Sequence, residues 1–224
     1  MGRSTIAGMS AGTLGAVLES RLDHAGLVVA TDARTRLVVY LDVLARWNRK
    51  LNLTAFDLDA PTDEAVDRLI IEPVLASGFC AGGKTALDIG SGGGSPAIPV
   101  LVVCNKLSMT LVEARERKGA FLREAVRVLQ LDATVAVTRF EDFVQAQPLD
   151  HGQVRTFDVL TMRAVKASDE IWRAVASVLA PSGCMVWFSN RNEVDANMGL
   201  LGSLGLHQDH IADRFRVIRR TMPD

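Results

Sequence analysis

The sequence predicts an α/β fold, a mostly parallel seven-stranded sheet with helices on both faces, preceded by an N-terminal helical segment. Three observations predict it. From Lys84 onward, short apolar runs of strand length alternate with stretches of helical period. The first of these runs carries an acid near its end and opens into four glycines within five positions, Gly90, Gly92, Gly93 and Gly94. The last two runs, 206–211 and 215–218, read as a hairpin, which puts an antiparallel strand at the end of an otherwise parallel sheet. A chain of 224 residues suits one such domain with an appendage. The expected organisation is a flexible start (1–12), a helical segment (13–80) and the sheet domain (81–224).

The N-terminal part reads as helices. Leu14, Val17, Leu18 and Leu22 fall at helical spacing between Thr13 and Leu27. A second helix, capped by Thr31 or Asp32, carries Leu37, Val38, Leu41, Leu44 and Ala45 on one face and ends near Trp47-Asn48. There Arg46, Arg49 and Lys50 surround the tryptophan. Two readings stand side by side: cations placed favourably at a helix C-terminus, or a platform for an RNA backbone or a lid over a ligand. A third helix spans Asp63–Leu75, and a linker from Gly78 to Gly83 leads into the sheet domain.

Ala86, Leu87 and Ile89 form the first strand of the sheet domain, with Asp88 near its end. A glycine-rich turn after a strand lets the backbone approach a ligand where a Cβ would clash. A dinucleotide turn needs a third glycine where Ser95 stands, and Asp88 would repel a pyrophosphate. Beside the cationic, zwitterionic methionine end of S-adenosylmethionine the same acid is favourable. The turn therefore reads as a methyl-donor site. Ile98–Val103 is a short helix and Leu107–Val112 the second strand, with Glu113 at its end, placed to accept the ribose hydroxyls of an adenosine.

The helix after Glu113 turns Phe121, Leu122, Ala125, Val126 and Leu129 inward. It exposes Arg115, Arg117, Lys118, Arg123 and Arg127, either a solvated face or a surface for an anionic partner. Thr134–Thr138 is the third strand. In the loop after it Phe140 is placed to pack on the adenine, and the Glu141 amide or a nearby acid to read its amino group. Phe157–Thr161 is the fourth strand, followed by Met162, Arg163 and Ala164 at the edge where a methyl acceptor would sit. Ser168 or Asp169 caps a helix ending at Val178-Leu179, Pro181–Gly183 turns, Cys184–Ser189 is the fifth strand, and a polar loop precedes the hairpin.

Composition narrows the partners. Lys and Arg number 25 and Asp and Glu 26, a net charge of −1, so an RNA partner must meet a local basic patch. The three cysteines, Cys80, Cys104 and Cys184, are widely spaced and fit reduced thiols in a cytoplasmic protein. His207 and His210 have no acid-rich neighbourhood, so no metal is expected. No apolar run reaches the ~18 residues that span a bilayer.

Four patches resemble the 16S ribosomal RNA methyltransferase G family: Trp47-Asn-Arg-Lys-Leu-Asn-Leu-Thr-Ala55, Leu87-Asp-Ile-Gly-Ser-Gly-Gly-Gly-Ser-Pro-Ala-Ile-Pro99, Arg117-Lys-Gly-Ala-Phe-Leu-Arg123 and Phe157-Asp-Val-Leu-Thr-Met-Arg-Ala-Val165. The resemblance implies a Rossmann-like class I methyltransferase that uses S-adenosylmethionine, yields S-adenosylhomocysteine, and methylates guanine N7 in small-subunit ribosomal RNA or the 30S subunit. It implies donor contacts from Gly90, Ser95, Phe140, Glu141 and Arg163, with Arg139 and Arg163 facing the acceptor. Asp88, Gly92, Gly94 and Glu113 complete the expected donor site. Arg46, Arg49, Lys50, Arg115, Lys118 and Arg123 are the candidate phosphate contacts, and a monomer is expected. The chain departs from the family pattern at Arg68–Glu72, Ala97, Met162, Ser189-Asn190 and Arg214-Phe215. The alternatives are a class I methyltransferase for another RNA or a small molecule, and a non-catalytic donor-binding module.

Overall fold

The computed structural model describes residues 6–147, 149–150, 153–189 and 191–221. The first helix, α1 (Ile6–His24), begins inside the stretch expected to be flexible, and residues 1–5 lie outside the described part. It packs along α2 (Thr31–Leu51) through Leu14, Leu18 and Leu22. Helix α2 runs past Trp47 and stops at Asn52, whose φ of 48° breaks the helical course. A continuous helical stretch follows: α3 (Asp63–Val66), a π-helical turn (Asp67–Ile71) and α4 (Glu72–Ala76). The Thr62 hydroxyl caps its start by accepting from Ala65 N at 3.2 Å.

The sheet domain then runs β1 (Thr85–Ile89), α5 (Ala97–Val103), β2 (Ser108–Val112), α6 (Glu116–Leu129), β3 (Ala133–Ala136) and α7 (Phe140–Gln145). A two-residue pair, β4 (Leu149–Asp150) and β5 (Gln153–Val154), precedes β6 (Phe157–Arg163), α8 (Asp169–Val178), β7 (Leu179–Phe188), α9 (Arg191–Ser203), β8 (Leu206–Ile211) and β9 (Arg216–Arg220). The seven-stranded sheet has the order β3-β2-β1-β6-β7-β9-β8. Only the pairings of β9, with β7 and with β8, are antiparallel within it. Residues alternate between faces as a strand requires. Ala86, Leu111 and Val159 join the core under α1 to α6, whereas Leu87, Ile89, Leu160 and Met162 join the core under α7 to α9.

Several elements differ from the sequence reading, among them α7, where a loop is expected after the third strand. The polar loop before the hairpin is helix α9: its first half is polar and Gly199 and Gly202 interrupt it, so no apolar stripe advertises it. Asn197 there accepts from Trp172 Nε1 at 2.7 Å. The Pro181–Gly183 turn lies inside β7, where the pairing with β6 shifts between Phe157 and Val159.

The chain leaves β1 for β2 on one side and returns as β6 on the other. That reversal opens a crevice beyond the carboxyl ends of β1 and β6, the usual ligand position in such sheets.

Candidate active site

The register of β1 with β6 sets Asp88 opposite Thr161. Asp88 Oδ1 accepts from Thr161 Oγ1 at 2.5 Å, while Oδ2 is buried and has no hydrogen-bond partner among the described residues. Burial is the main reason the Asp88 carboxyl is pushed up to about 6. The Thr161 and Ser91 hydroxyls and the Arg163 charge act in the other direction.

Above Asp88 the chain turns through Gly90, Gly92 and Gly94 at φ of 70°, 49° and 84°. At Gly90 a Cβ would stand 2.5 Å from Val165 Cγ2, so glycine is needed both for its conformation and for its size. Glu113, 7% exposed, ties the turn to β2: Oε2 accepts from Gly92 N at 2.9 Å and Oε1 from Arg115 N at 2.8 Å. A carboxylate has about four acceptor positions, so each oxygen keeps one for a ligand hydroxyl.

The N-terminal helices close the site from above. Tyr40 donates from its fully buried hydroxyl to Gly93 O at 2.7 Å. Asn48 Oδ1 accepts from Leu53 N at 2.7 Å and Thr54 N at 2.9 Å, and its Nδ2 reaches Phe56 O at 3.4 Å. The loop so shaped, from Leu53 to Phe56, walls a cavity of about 600 Å³ whose floor is Gly90–Gly93 and whose far side carries Glu113, Arg115 and Lys118. The loop after the tryptophan patch thus forms one wall of this cavity. Ser95 also lines the cavity, with its hydroxyl donating to Leu69 O at 2.9 Å.

A second cavity, about 540 Å³, adjoins the first and is lined by Phe188, Ser189, Glu72 and residues of the β8–β9 turn. Arg163, Arg68 and Ala164 belong to both walls. Arg163 is held on three sides. It donates to Glu72 Oε2 at 2.9 Å and to Arg68 O, and its guanidinium lies 4.1 Å above the ring of Phe188, its partner in the β6–β7 register. Burial lowers the Arg163 pKa to about 10, against the raising effect of Glu72. Ala164, next in the chain, has φ of 54°, a strained setting for a residue with a side chain.

Three expected site residues are not among those lining the two cavities. The Phe140 ring, 4% exposed, is buried in the core with Leu87 and Val112. Glu141 lies along a groove between α7 and α8. Arg139 is exposed at the start of α7 and lines neither cavity. For Arg139 the separation from Arg163 follows from strand order: β3 is three strands from β6, at about 4.8 Å per spacing.

Among the expected phosphate contacts, Arg46 pairs with Asp42 at 3.2 Å, Arg49 with Asp59, and Arg123 with Glu116 at 2.9 Å. Arg115 and Lys118 face the first cavity, and Lys50 is exposed at the end of α2. Sequence reasoning missed the roles of Tyr40, Thr161 and Glu72. Only the Arg68–Glu72 spacing of four on a helix hinted at one of them.

The model of the family described as rRNA small subunit methyltransferase G matches residues 33–199. The chain belongs to that family. Its relatives include the ribosomal RNA small subunit methyltransferase G of Stenotrophomonas maltophilia (strain K279a), 37% identical over 175 residues, which cover 78% of this chain and 76% of the relative. The protein of the same name in Laribacter hongkongensis (strain HLHK9) is 33% identical over 166 residues, 74% of this chain and 75% of that one. Among solved structures, an O-methyltransferase family protein from Burkholderia thailandensis is similar in fold, with a TM-score of 0.55 at 14% identity over 86% of this chain and 72% of that one. So is the 16S rRNA N2-methyltransferase RsmC of T. thermophilus, solved with AdoMet and guanosine, with a TM-score of 0.53 at 15% identity over 68% of this chain and 42% of that one. The fold is that of a class I methyltransferase. As a methyltransferase G family member, the protein is an S-adenosylmethionine-dependent methyltransferase of 16S ribosomal RNA guanine.

Proposed function

We propose that the cavity under the Leu53–Phe56 loop holds S-adenosylmethionine and that the adjoining cavity receives the guanine whose N7 is methylated. The residues present fit the donor. The three-glycine turn leaves a cradle that a Cβ at Gly90 would fill, and Glu113 keeps free acceptor positions where ribose hydroxyls are expected. The unpartnered Asp88 oxygen lies beneath the turn, where a cationic methionine group finds a carboxylate and a pyrophosphate would be repelled. Of the expected donor contacts, Asp88, Gly90, Gly92, Gly94, Ser95 and Glu113 enter this reading, and Arg163 is read on the acceptor side. When bound, S-adenosylmethionine supplies an electrophilic methyl group on a sulfonium.

Guanine N7 carries a free lone pair, so the chain has no proton to remove before transfer. The protein's work is alignment and electrostatics. Arg163, in the wall common to both cavities, carries this proposal. Glu72, Arg68 O and Phe188 fix its plane, leaving guanidinium N–H groups to donate to guanine O6 and to withdraw charge as N7 becomes cationic. The acceptor is taken as 16S RNA or the 30S subunit, met by a monomer in the cytoplasm.

Arg163→Ala, with Arg163→Lys as the milder variant, tests the assignment. The expected outcome is turnover lowered by about a hundredfold or more, with S-adenosylhomocysteine affinity nearly unchanged in calorimetry. Loss of donor-site affinity in parallel with turnover would place Arg163 on the donor instead.

A further inference from the structure

At the mouth of the second cavity three guanidiniums from three elements converge on one carboxylate. Glu72 of α4 is buried and meets Arg163 of β6 at 2.9 Å, Arg68 of the π-helical turn at 3.6 Å and Arg214 of the β8–β9 turn at 3.7 Å. One negative charge cannot match three positive ones. The oxygens are shared unequally: Oε2 takes the hydrogen bond from Arg163, while Arg68 and Arg214 share Oε1 at distances longer than hydrogen bonds. Arg163 is thus engaged, and the other two are merely gathered. Their side chains are 39% and 56% exposed, with fork donors open to the cavity they line.

The turn that carries Arg214 is built to hold its shape. The buried Arg216 guanidinium donates to Ala212 O and to Phe215 O, and Ala212 N donates to Phe215 O at 3.0 Å. The Phe215 ring packs 5.6 Å from Phe188, the ring under Arg163, so the turn and the inner wall of the cavity are one packed unit. With Glu193 and Asp213 also on the lining, arginines outnumber carboxylates four to three among the described residues, and the excess lies on the Glu72 side.

We propose that Arg68 and Arg214 form a clamp for a backbone phosphate of the acceptor nucleotide, with Glu72 holding the two forks in place until that phosphate takes them. Guanidinium forks match phosphate oxygens in geometry and charge. A nucleotide whose base enters beside Arg163 carries its phosphate to the rim where these forks stand, and phosphate contacts are what fix register on a nucleic acid. The inference rests on the second cavity being the acceptor pocket.

The test uses the full chain with under-methylated small ribosomal subunits across a range of salt concentrations. Arg68→Gln, Arg214→Gln and the double variant are compared with Arg155→Gln, an exposed cation stacked on Phe157 at the other end of β6. Each single variant is expected to raise KM for subunits roughly tenfold and to flatten the log–log salt dependence by about one, the double by about two. The kcat value and S-adenosylhomocysteine affinity should stay within about twofold of the unaltered chain, and Arg155→Gln should change nothing. An unchanged salt slope in the double variant, or an equal change in Arg155→Gln, overturns the clamp. So does a parallel loss of S-adenosylhomocysteine affinity, which marks a structural role. Arg214→Gln, at an exposed position, keeps the test open if Arg68→Gln does not fold. An unaltered chain that binds S-adenosylhomocysteine but methylates no RNA overturns the acceptor reading itself, and the clamp with it.

Discussion

Asp88 keeps one carboxylate oxygen bonded to Thr161 and one without a partner, both shut away from water. Its pKa of about 6 lies above the value of about 3.9 for an unfolded aspartate. Folding therefore favours the protonated form. The stabilisation from this group is complete below about pH 4 and is lost as pH rises through 6, on the order of 3 kcal/mol in all. Urea unfolding of the wild type and Asp88→Asn should show the wild type losing ground to the variant between pH 4 and 7; a flat difference would contradict the assignment. Donor affinity has the opposite sign, since a cationic methionine end prefers the ionised carboxylate. It should fall as pH drops below 6, and calorimetry in buffers of different ionisation heat should register proton release on binding near pH 6. Asp88 and Gly90 were legible in the sequence because strand, acid and glycine turn are contiguous there, and Glu113 because it follows directly on the second strand. Tyr40, Thr161 and Glu72 were not, because their partners lie 53, 73 and 91 positions away and meet only through packing and strand register.

Helix α2 serves the site through its last turn and the loop after it. Asn48 satisfies three backbone groups of the loop over the first cavity. Asn48→Ala should lower stability by about 1–2 kcal/mol and donor affinity about tenfold, read by thermal melts and calorimetry on one preparation. Tyr40→Phe, which removes only the bond to Gly93 O, should cost about 1 kcal/mol and weaken the donor less than Asn48→Ala; the reverse ranking would mean that the turn, not the loop, limits binding. Most elements could be read from apolar period, from α1 through the closing hairpin. Helix α9 escaped because its polar half and two glycines carry no stripe. The positions of Arg139 and Phe140 escaped for another reason. Periodicity reveals that a third strand exists but not that it lies on the far side of β2, and helical inward packing claimed the ring that a ligand was expected to use.

The whole molecule carries almost no net charge, so its hold on RNA must be local. Arg46, Arg49 and Arg123 each already face an acid across an exposed ion pair. Such pairs are worth about 0–1 kcal/mol and yield readily to a phosphate. Lys50, Arg115 and Lys118 carry no ion pair among the described residues, which makes them the stronger cations toward a polyanion. Affinity for small subunits should therefore fall steeply with salt, with Lys50→Gln flattening the dependence more than Arg46→Gln. The N-terminal helices, the carboxyl ends of the strands and the hairpin each supply a wall of the paired cavities, and the proposal needs all three. The most direct test of that arrangement is incubation of the full chain with methyl-labelled S-adenosylmethionine and under-methylated small ribosomal subunits, followed by mapping of the labelled nucleotide. The expected result is label on a guanine of the small-subunit RNA that becomes sensitive to aniline cleavage after borohydride reduction, as N7 methylation requires. Label on an exocyclic nitrogen, on protein, or nowhere in the RNA would contradict it.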